Sequence, residues 1–362
     1  METTYFEKLA TLLDSKIEGI EIVPAAGLLP TLEDNPHAPF LLIEGHLGVP
    51  QKALYLAYLG ACRTFASAKG TSDAATILRA SSVLLLANAA HSTALNARKR
   101  LVLSGLRDVR LELDFTGSLL SEQQAAKSSF LWHHRRWLLR HLYSDVNGVP
   151  DGSAEDLDTC VVPFSQLRVE VALAEQASET YRRNYFAWNH RLRCIRNLRL
   201  HLGSERSSAF GFLHSEIGAV RSWIDRHISD HTAMHYVCEL VSLYGELLPE
   251  GSQTLHEARA TLDHAYALVS SFPSHESLWL YVRRSLAVIL ISEPDAAPIT
   301  NARLHDLLIN VGTLEDDHGA HIPLPGTEIS SCSTGEQVHA VRCARWLRLR
   351  QHPNLLHETR TT

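Results

Sequence analysis

A short motif that recurs along the chain constrains the fold more than any other feature of the sequence. Residues 129–136 are SFLWHHRR and residues 185–192 are YFAWNHRL, and three weaker copies share the pattern. The tryptophan position of the five copies falls at Leu95, Trp132, Trp188, Met234 and Trp279. The separations are 37, 56, 46 and 45 residues. Units of this length can hold two antiparallel helices but cannot close a hydrophobic core alone, which predicts an array of stacked helical hairpins.

Composition limits the classes of function. A chain of 362 residues, 45% of them hydrophobic, can bury a large core without dividing into separate globular domains. The net charge is −6, so the basic run at 133–136 is not part of a basic surface, and nucleic acid is not expected as a partner. No window of 18 uncharged apolar residues occurs, and the start lacks the pattern of a signal peptide. The six cysteines show no CxxC spacing, which favours reduced thiols, and we therefore expect a cytoplasmic protein without a transmembrane segment.

Three regions follow one another along the chain. Residues 1–50 contain prolines and short β-prone runs, which predict an extended N-terminal segment packed on the first repeat. Residues 51–292 have a helical period, with turn-forming residues between the motif copies, so each motif is predicted to begin a helix just after a turn. Residues 293–362 are predicted to form an irregular linker and a C-terminal capping helix at 336–349.

The repeated side chains are predicted to be structural. Residues three or four positions apart lie on one face of a helix, so each motif places its aromatic and its arginine side by side. The tryptophan is expected to be buried between stacked helix pairs, and the arginine to bind the carbonyl end of a neighbouring helix or a carboxylate. The residues assigned to this structural motif are Trp132, Arg135, Trp188, Arg191 and Trp279.

Metal chemistry is not predicted for this chain. His231 and His235 have the i, i+4 spacing of zinc ligands, but no glutamate lies beside the first histidine and no third ligand is evident. We interpret these histidines as structural or capping residues.

The two central motif copies resemble the repeat of protein prenyltransferase alpha subunits, whose pattern is roughly Lys-Asn-Tyr-x-x-Trp-x-His-Arg. Residues 127–136, KSSFLWHHRR, and residues 183–191, RNYFAWNHR, carry the resemblance, which extends over roughly residues 20 to 350. Within that family the sequence is most similar to the alpha subunit of geranylgeranyltransferases of the third type. The resemblance implies an all-α protein, a right-handed superhelix (α-α solenoid) of about five helical hairpins.

The resemblance also implies a partner subunit and assigns separate roles to the two subunits. A separate beta subunit, expected to be of the Rab type, would hold the zinc ion and the isoprenoid pocket, and this chain would carry no cofactor. A prenyl diphosphate would bind at the subunit interface, and the acceptor would be a protein with a C-terminal cysteine. The chain alone would be inactive.

Three residues take site roles from the resemblance. The lysine that reaches the isoprenoid diphosphate in this family corresponds to Lys127, where an ammonium would stabilise the charge that develops on the leaving diphosphate. Asn184 and Tyr185 match the family pattern and are assigned to the diphosphate or the subunit seam. Ser129 replaces the tyrosine of the other central repeat, so no phenol is present there.

Two classes of function remain open from the sequence. The first is the alpha subunit of a heterodimeric protein geranylgeranyltransferase. The second is a non-catalytic helical-repeat adaptor that binds other proteins, because helical solenoids readily keep their fold after losing their chemistry. The presence of Lys127 with Asn184 and Tyr185 favours the enzyme subunit.

Overall fold

The computed structural model describes residues 2–28, 35–70, 73–144, 157–202, 205–247 and 251–292, together with 339, 340, 342–344 and 346. Most of these residues are helical, and one small sheet lies near the N-terminus. The helices and strands are α1 (Glu2–Leu13), β1 (Gly19–Val23), β2 (Leu41–Ile43), β3 (His46–Pro50), α2 (Gln51–Ala68), α3 (Ala74–Ala87), α4 (Ser92–Leu103), α5 (Val109–Leu120), α6 (Gln123–Ala126), α7 (Ser129–Tyr143), α8 (Phe164–Thr180), α9 (Tyr185–Arg196), α10 (Arg206–Arg226), α11 (His231–Leu247), α12 (Gly251–Ser271) and α13 (Glu276–Ser292). Short 3-10 helices cover Ala26–Leu28, Leu157–Thr159 and Asn197–His201.

Each motif copy begins a helix, as the sequence predicts. The helices α4, α7, α9, α11 and α13 each begin three residues before the tryptophan position. Each of them packs against a preceding helix, which gives the five pairs α3/α4, α5/α7, α8/α9, α10/α11 and α12/α13. The prediction of an all-α protein built from about five helical hairpins is thereby confirmed for the described residues.

The chain divides into two compact units, Met1–Leu200 and His201–Thr362. The first unit contains the sheet and the helices from α1 to α9, with the turns between them. Its core runs continuously from α1 to α9 and includes Trp132. In the second unit, α11 packs against α10, α12 and α13. None of the helices that the structure describes is long and apolar enough to cross a membrane.

The N-terminal segment differs from the extended conformation expected for it, because α1 precedes the sheet. Phe6, Leu9, Ala10 and Leu13 are buried and follow the i, i+3, i+4, i+7 spacing of an amphipathic helix. This face packs against α2 and α3, which agrees with the expected packing on the first repeat. The helix was missed because it is one short element without a copy of the motif.

The β-prone runs of the same segment form a three-stranded sheet in the order β1-β3-β2. β1 pairs with β3 in parallel, and β2 pairs with β3 in antiparallel orientation. β3 leads directly into α2, so the sheet is fixed to the helical array by a continuous chain.

The domain limits near residues 50 and 293 stay predictions. Most of 293–362, including most of the predicted capping helix at 336–349, lies outside the described residues. The few described residues within that helix are helical, and Ala340 and Cys343 are buried.

Candidate functional site

Lys127 lies in the turn between α6 and α7, on the surface of the first unit. It is the residue that follows α6, and α7 begins two residues later at Ser129. Its side chain is exposed, and its Nζ lies 4.8 Å from the centroid of the Tyr181 ring, a cation–π distance. Among the residues that the structure describes, no carboxylate lies within ion-pair distance of this Nζ. The position therefore presents an ammonium group that a negatively charged ligand can reach.

A cleft of about 620 Å³ within the first unit is lined by Lys127. Its other walls come from the end of β1, the start of α2, the turn after α3 and the start of α7. Glu122 is the one other charged residue among the described residues that line it. The Glu122 carboxylate is buried and accepts hydrogen bonds from the N–H groups of Gln124 (2.9 Å) and Ala125 (2.7 Å). Glu122 thus caps α6, and Lys127 supplies the charge that faces the cleft.

Asn184 is the N-cap of α9 and is buried. Its Oδ1 accepts a hydrogen bond from the N–H of Ala187 (3.2 Å). Its Nδ2 donates to the carbonyl oxygens of Ala126 (2.8 Å) and Ala177 (3.2 Å). Asn184 therefore ties α9 to α8 and to the end of α6, and its amide groups are engaged within the chain rather than directed toward a ligand.

Tyr185 follows Asn184 at the first position of α9 and is 58% exposed. Its ring meets the ring of Phe186 edge-on, with centroids 5.5 Å apart. Phe186 and Phe130 occupy the same motif position, two residues before the tryptophan, and are 37% and 49% exposed. Because α7 packs against α9, the two motif starts belong to neighbouring helices. We call Phe130, Tyr185 and Phe186 the aromatic patch.

The tryptophan positions are buried, as predicted. Trp132, Trp188 and Trp279 are at most 1% exposed. The indole N–H of Trp132 donates to the carbonyl of Ala126 (2.8 Å), and that of Trp279 donates to the carbonyl of Pro273 (2.8 Å). In each case the acceptor lies six residues earlier, in or just before the turn that precedes the helix, so the indole fixes that turn as well as filling the core.

The motif arginines bind carboxylates. Arg135 is buried and makes two hydrogen bonds to Glu170, at 2.6 and 2.9 Å, and a further one to the carbonyl of Leu113 at 2.6 Å. Arg191 is also buried, lies 5.2 Å from the centroid of the Trp188 ring, and contacts Glu175 at 3.4 Å. The structural interaction expected for these arginines is therefore present.

A repeated three-residue network was missed from the sequence. Glu170 on α8 binds Arg135 of the preceding motif and also lies 2.9 Å from the Nε2 of His190 in the following motif. Glu112 on α5 has the same position one repeat earlier: it binds Arg98 through two hydrogen bonds of 2.7 Å and lies 3.3 Å from the Nε2 of His134. Each glutamate therefore connects two consecutive motif helices. The signal in the sequence is weak, because the glutamate lies on the helix between motifs and its distance from the tryptophan varies from 18 to 20 residues.

Burial and charge set the ionisation of this network. Burial alone would raise the pKa of Glu170, but Arg135 and His190 outweigh it and lower that pKa to about 2. The pKa of Glu112 is lowered for the same reason, with Arg98 as the main cation. Burial lowers the pKa of His134 and His190 below the usual value, although their glutamates oppose the shift. The network is thus a glutamate–arginine ion pair with a neutral histidine donor.

The second unit has a variant of this network. Tyr236 stands two residues after Met234, where the central motifs have histidine, and its hydroxyl donates to Glu216 at 2.6 Å. A phenol replaces the imidazole as donor, and the glutamate remains buried. Within the described residues, no group of three or more His, Cys, Asp or Glu side chains is placed to hold a metal ion.

Comparison with known proteins finds a family model that matches two of the repeats. The family model described as protein prenyltransferase alpha subunit repeat matches residues 109–142 and 167–198. These ranges contain α5, α6 and nearly all of α7, and most of α8 with all of α9, the two pairs that carry Trp132 and Trp188. Two segments of the chain are therefore similar to this repeat, which supports the family expected from the motif. The matched segments surround Lys127 and the aromatic patch.

Relatives share 25–28% identity with the chain over 71–83% of its length. Protein prenyltransferase alpha subunit repeat-containing protein 1 of Danio rerio is 28% identical over 292 residues, which cover 71% of this chain and 66% of the relative. The Homo sapiens protein of the same name is 26% identical over 294 residues, 71% of each chain. Protein 1-A of Xenopus laevis is 25% identical over 347 residues, 83% of this chain and 77% of the relative. The aligned part of the zebrafish relative is just under two thirds of its length.

Proposed function

We propose that this chain is the alpha subunit of a heterodimeric protein prenyltransferase, which transfers a geranylgeranyl group from its diphosphate to a cysteine of an acceptor protein. The observation that carries the proposal is Lys127, an exposed ammonium group held between α6 and α7 in a prenyltransferase alpha subunit repeat. No described carboxylate neutralises it, and the aromatic patch begins three residues away at Phe130.

Lys127 would act on the leaving group. As the acceptor sulfur attacks C1 of the prenyl chain, the C1–O bond breaks and its electron pair stays with the diphosphate. The negative charge on the bridging oxygen grows in the transition state, so a fixed ammonium group stabilises the transition state more than the bound substrate. The cation–π contact with Tyr181 limits the positions that the lysine side chain can take.

The aromatic patch would form part of the contact with the beta subunit. Three large rings exposed on two neighbouring motif starts are unusual for a surface that stays in water, and aromatic residues are enriched at protein interfaces. The proposed beta subunit, of the Rab type, would contribute the zinc ion that activates the thiol and the pocket for the isoprenoid. Tyr185 would lie at the subunit seam, and Asn184 would hold α9 in place without touching the diphosphate.

The test is the substitution Lys127→Ala in the heterodimer. We expect turnover to fall by roughly 10²–10³, because removal of one preorganised donor to a developing oxyanion costs about 2.7–4 kcal/mol of transition-state stabilisation. Assembly should be unchanged, since Lys127 is exposed and its side chain fills no core position. Turnover is measured at saturating prenyl diphosphate.

Lys69→Ala is the matched control. Lys69 also follows the last residue of a helix and is exposed, but it does not line the cleft. Full turnover is expected for this variant. If Lys127→Ala also kept full turnover, the role proposed for Lys127 would be wrong.

The second candidate is a non-catalytic adaptor that uses the same repeats to bind proteins. Ser129, which stands where the family has tyrosine, and the internal hydrogen bonds of Asn184 favour it, because both reduce the number of groups available to a diphosphate. Purification of the native chain with its partners separates the two candidates. Recovery of a prenyltransferase beta subunit supports the enzyme, whereas recovery of unrelated proteins without it supports the adaptor.

A further inference from the structure

β1 is an edge strand whose outer side is only partly covered. The sheet order β1-β3-β2 leaves one side of β1 without a neighbouring strand. Ser118 in α5 and Ser121 just after it cover the first part of that side. The Ser118 hydroxyl donates to the carbonyl of Ile17 (2.5 Å), and the Ser121 hydroxyl accepts from the N–H of Ile20 (2.8 Å).

The rest of the outer side opens into the cleft. Backbone N–H groups alternate between the two sides of a strand, so the N–H of Ile22 points the same way as that of Ile20 and away from β3. Within the described part of the chain, the Ile22 N–H has no hydrogen-bond acceptor. Ile22, Val23 and Pro24 line the cleft, which therefore contains a free strand edge.

The opposite walls leave room for another backbone. Ala87 at the end of α3, and Ala89 and Ala90 in the turn after it, have small side chains. The ring of Phe130 is half exposed at the start of α7. A cleft of about 620 Å³ holds a few residues of extended peptide. Among the described residues that line it, Lys127 is the one accessible charge, because the Glu122 carboxylate is buried and engaged in capping α6.

We propose that this cleft binds an extended acidic segment of a partner protein, which adds a short strand to the outer side of β1 and places a carboxylate at Lys127. Strand addition gives the Ile22 N–H a hydrogen-bond acceptor, and the Lys127 ammonium group selects an acidic side chain. Alternate side chains of the segment would point toward the alanines and Phe130. The inference does not depend on prenyl transfer, since it concerns the chain alone, without a beta subunit. Because both proposals use the Lys127 ammonium group, the acidic segment and a prenyl diphosphate would exclude each other at this residue.

The test is direct binding of a fluorescent hexapeptide of alternating valine and glutamate to the full chain, followed by fluorescence anisotropy. We expect saturable binding. Binding should weaken at least tenfold when glutamine replaces glutamate in the peptide, and also when alternate peptide nitrogens are methylated, because methylation removes the N–H groups that a strand donates. Equal binding of the methylated peptide would overturn strand addition, and absence of binding by the parent peptide would overturn the site.

Two variants of the chain locate the site. Lys127→Gln should weaken binding of the glutamate peptide about tenfold, whereas Lys69→Gln, an exposed lysine outside the cleft, should leave it unchanged. Ile22→Pro removes the outward N–H without removing a bond to β3 and should also weaken binding, measured at a temperature where the variant is folded. Ile22→Ala, which loses the same core packing but keeps the N–H, should bind more tightly than Ile22→Pro. Equal effects of the two lysine variants would contradict the placement of the carboxylate. Because the assay contains no beta subunit, its failure would leave the prenyltransferase proposal unaffected.

Discussion

At the scale of single residues, the buried glutamates hold the repeats together. Glu170 and Arg135 are almost fully buried, and neither side chain could remain charged there without the other. His190 completes the set by donating its Nε2 hydrogen to the same carboxylate. A buried ion pair contributes less to stability than its Coulomb energy suggests, because both charges lose their hydration. Loss of one partner is costly, however, since the other charge stays buried without compensation.

Glu170→Gln is therefore expected to destabilise the chain by about 3–5 kcal/mol, because it leaves the Arg135 guanidinium buried without a counter-charge. The measurement is the free energy of unfolding in urea at neutral pH. The matched control is Glu175→Gln on the same helix. Glu175 is about half exposed and contacts Arg191 at 3.4 Å, so water reaches this pair and its loss should cost clearly less than the loss of Glu170. Similar losses for the two variants would contradict the role given to Glu170.

The pH dependence of the unfolding free energy in acid is a second test of the same network. The pKa of Glu170 falls from 4.5 to about 2 on folding, so this group stabilises the fold above its unfolded pKa. That stabilisation should be lost as the pH drops from 4.5 toward 2. In Glu170→Gln the dependence of the unfolding free energy on pH should be shallower over this range. If this slope were unchanged, Glu170 would bind as many protons in the folded state as in the unfolded state, which would contradict its lowered pKa.

The residue scale also shows what the sequence could reveal. Trp132 and Trp188 repeat in similar contexts, so their burial follows from the pattern. Glu112 and Glu170 do not repeat at a constant distance and lie on helices without a motif, so their partners become visible only when the helices are packed. Asn184 illustrates a different limit: the motif identifies it, but only the geometry shows that its amide binds Ala126 and Ala177 within the chain.

At the scale of elements, the start of each motif helix is fixed by side chains that bind the backbone before it. The Trp132 indole and the Asn184 amide both donate to the carbonyl of Ala126. That carbonyl is at the end of α6, one residue before Lys127. Two consecutive repeats therefore fix the turn that presents the lysine, which explains how a surface residue can have a defined position.

Trp132→Ala should destabilise the first unit by about 3–5 kcal/mol, the usual cost of emptying a large buried aromatic site. The side chain is fully buried and also makes the hydrogen bond to Ala126. Thermal unfolding and the yield of soluble protein measure the effect. Phe130→Ala on the same helix serves as the control, because a half-exposed ring should change stability by no more than about 0.5 kcal/mol. A larger loss of stability for Phe130→Ala than for Trp132→Ala would contradict the placement of Trp132 in the core and Phe130 at the surface.

The elements were predictable to the extent that they repeat. Turn residues and the motif period give the start of every motif helix. The helix α1 and the pairing of β1 with β3 lack such repetition, and they depend on contacts between residues far apart in the sequence, such as Ile20 with Leu47. The sequence therefore indicated short strands near the N-terminus but not their order.

At the scale of the whole molecule, the chain supplies a cationic position and an exposed aromatic patch without a complete catalytic centre among its described residues. The prenyltransferase alpha subunit repeat accounts for both features if a second subunit covers the patch and brings the zinc ion and the isoprenoid pocket. An adaptor would use Lys127 for a carboxylate of its partner and would need no diphosphate. The two functions therefore differ in what happens when the chain is combined with a beta subunit.

The most direct test is prenyl transfer by the chain co-expressed with a Rab-type prenyltransferase beta subunit. The measurement is incorporation of labelled geranylgeranyl from its diphosphate into an acceptor protein with a C-terminal cysteine, with zinc present. We predict that the two chains elute as one complex, that this complex transfers the label, and that either chain alone transfers none. Separate elution of the two chains, or transfer by this chain without the beta subunit, would contradict the account.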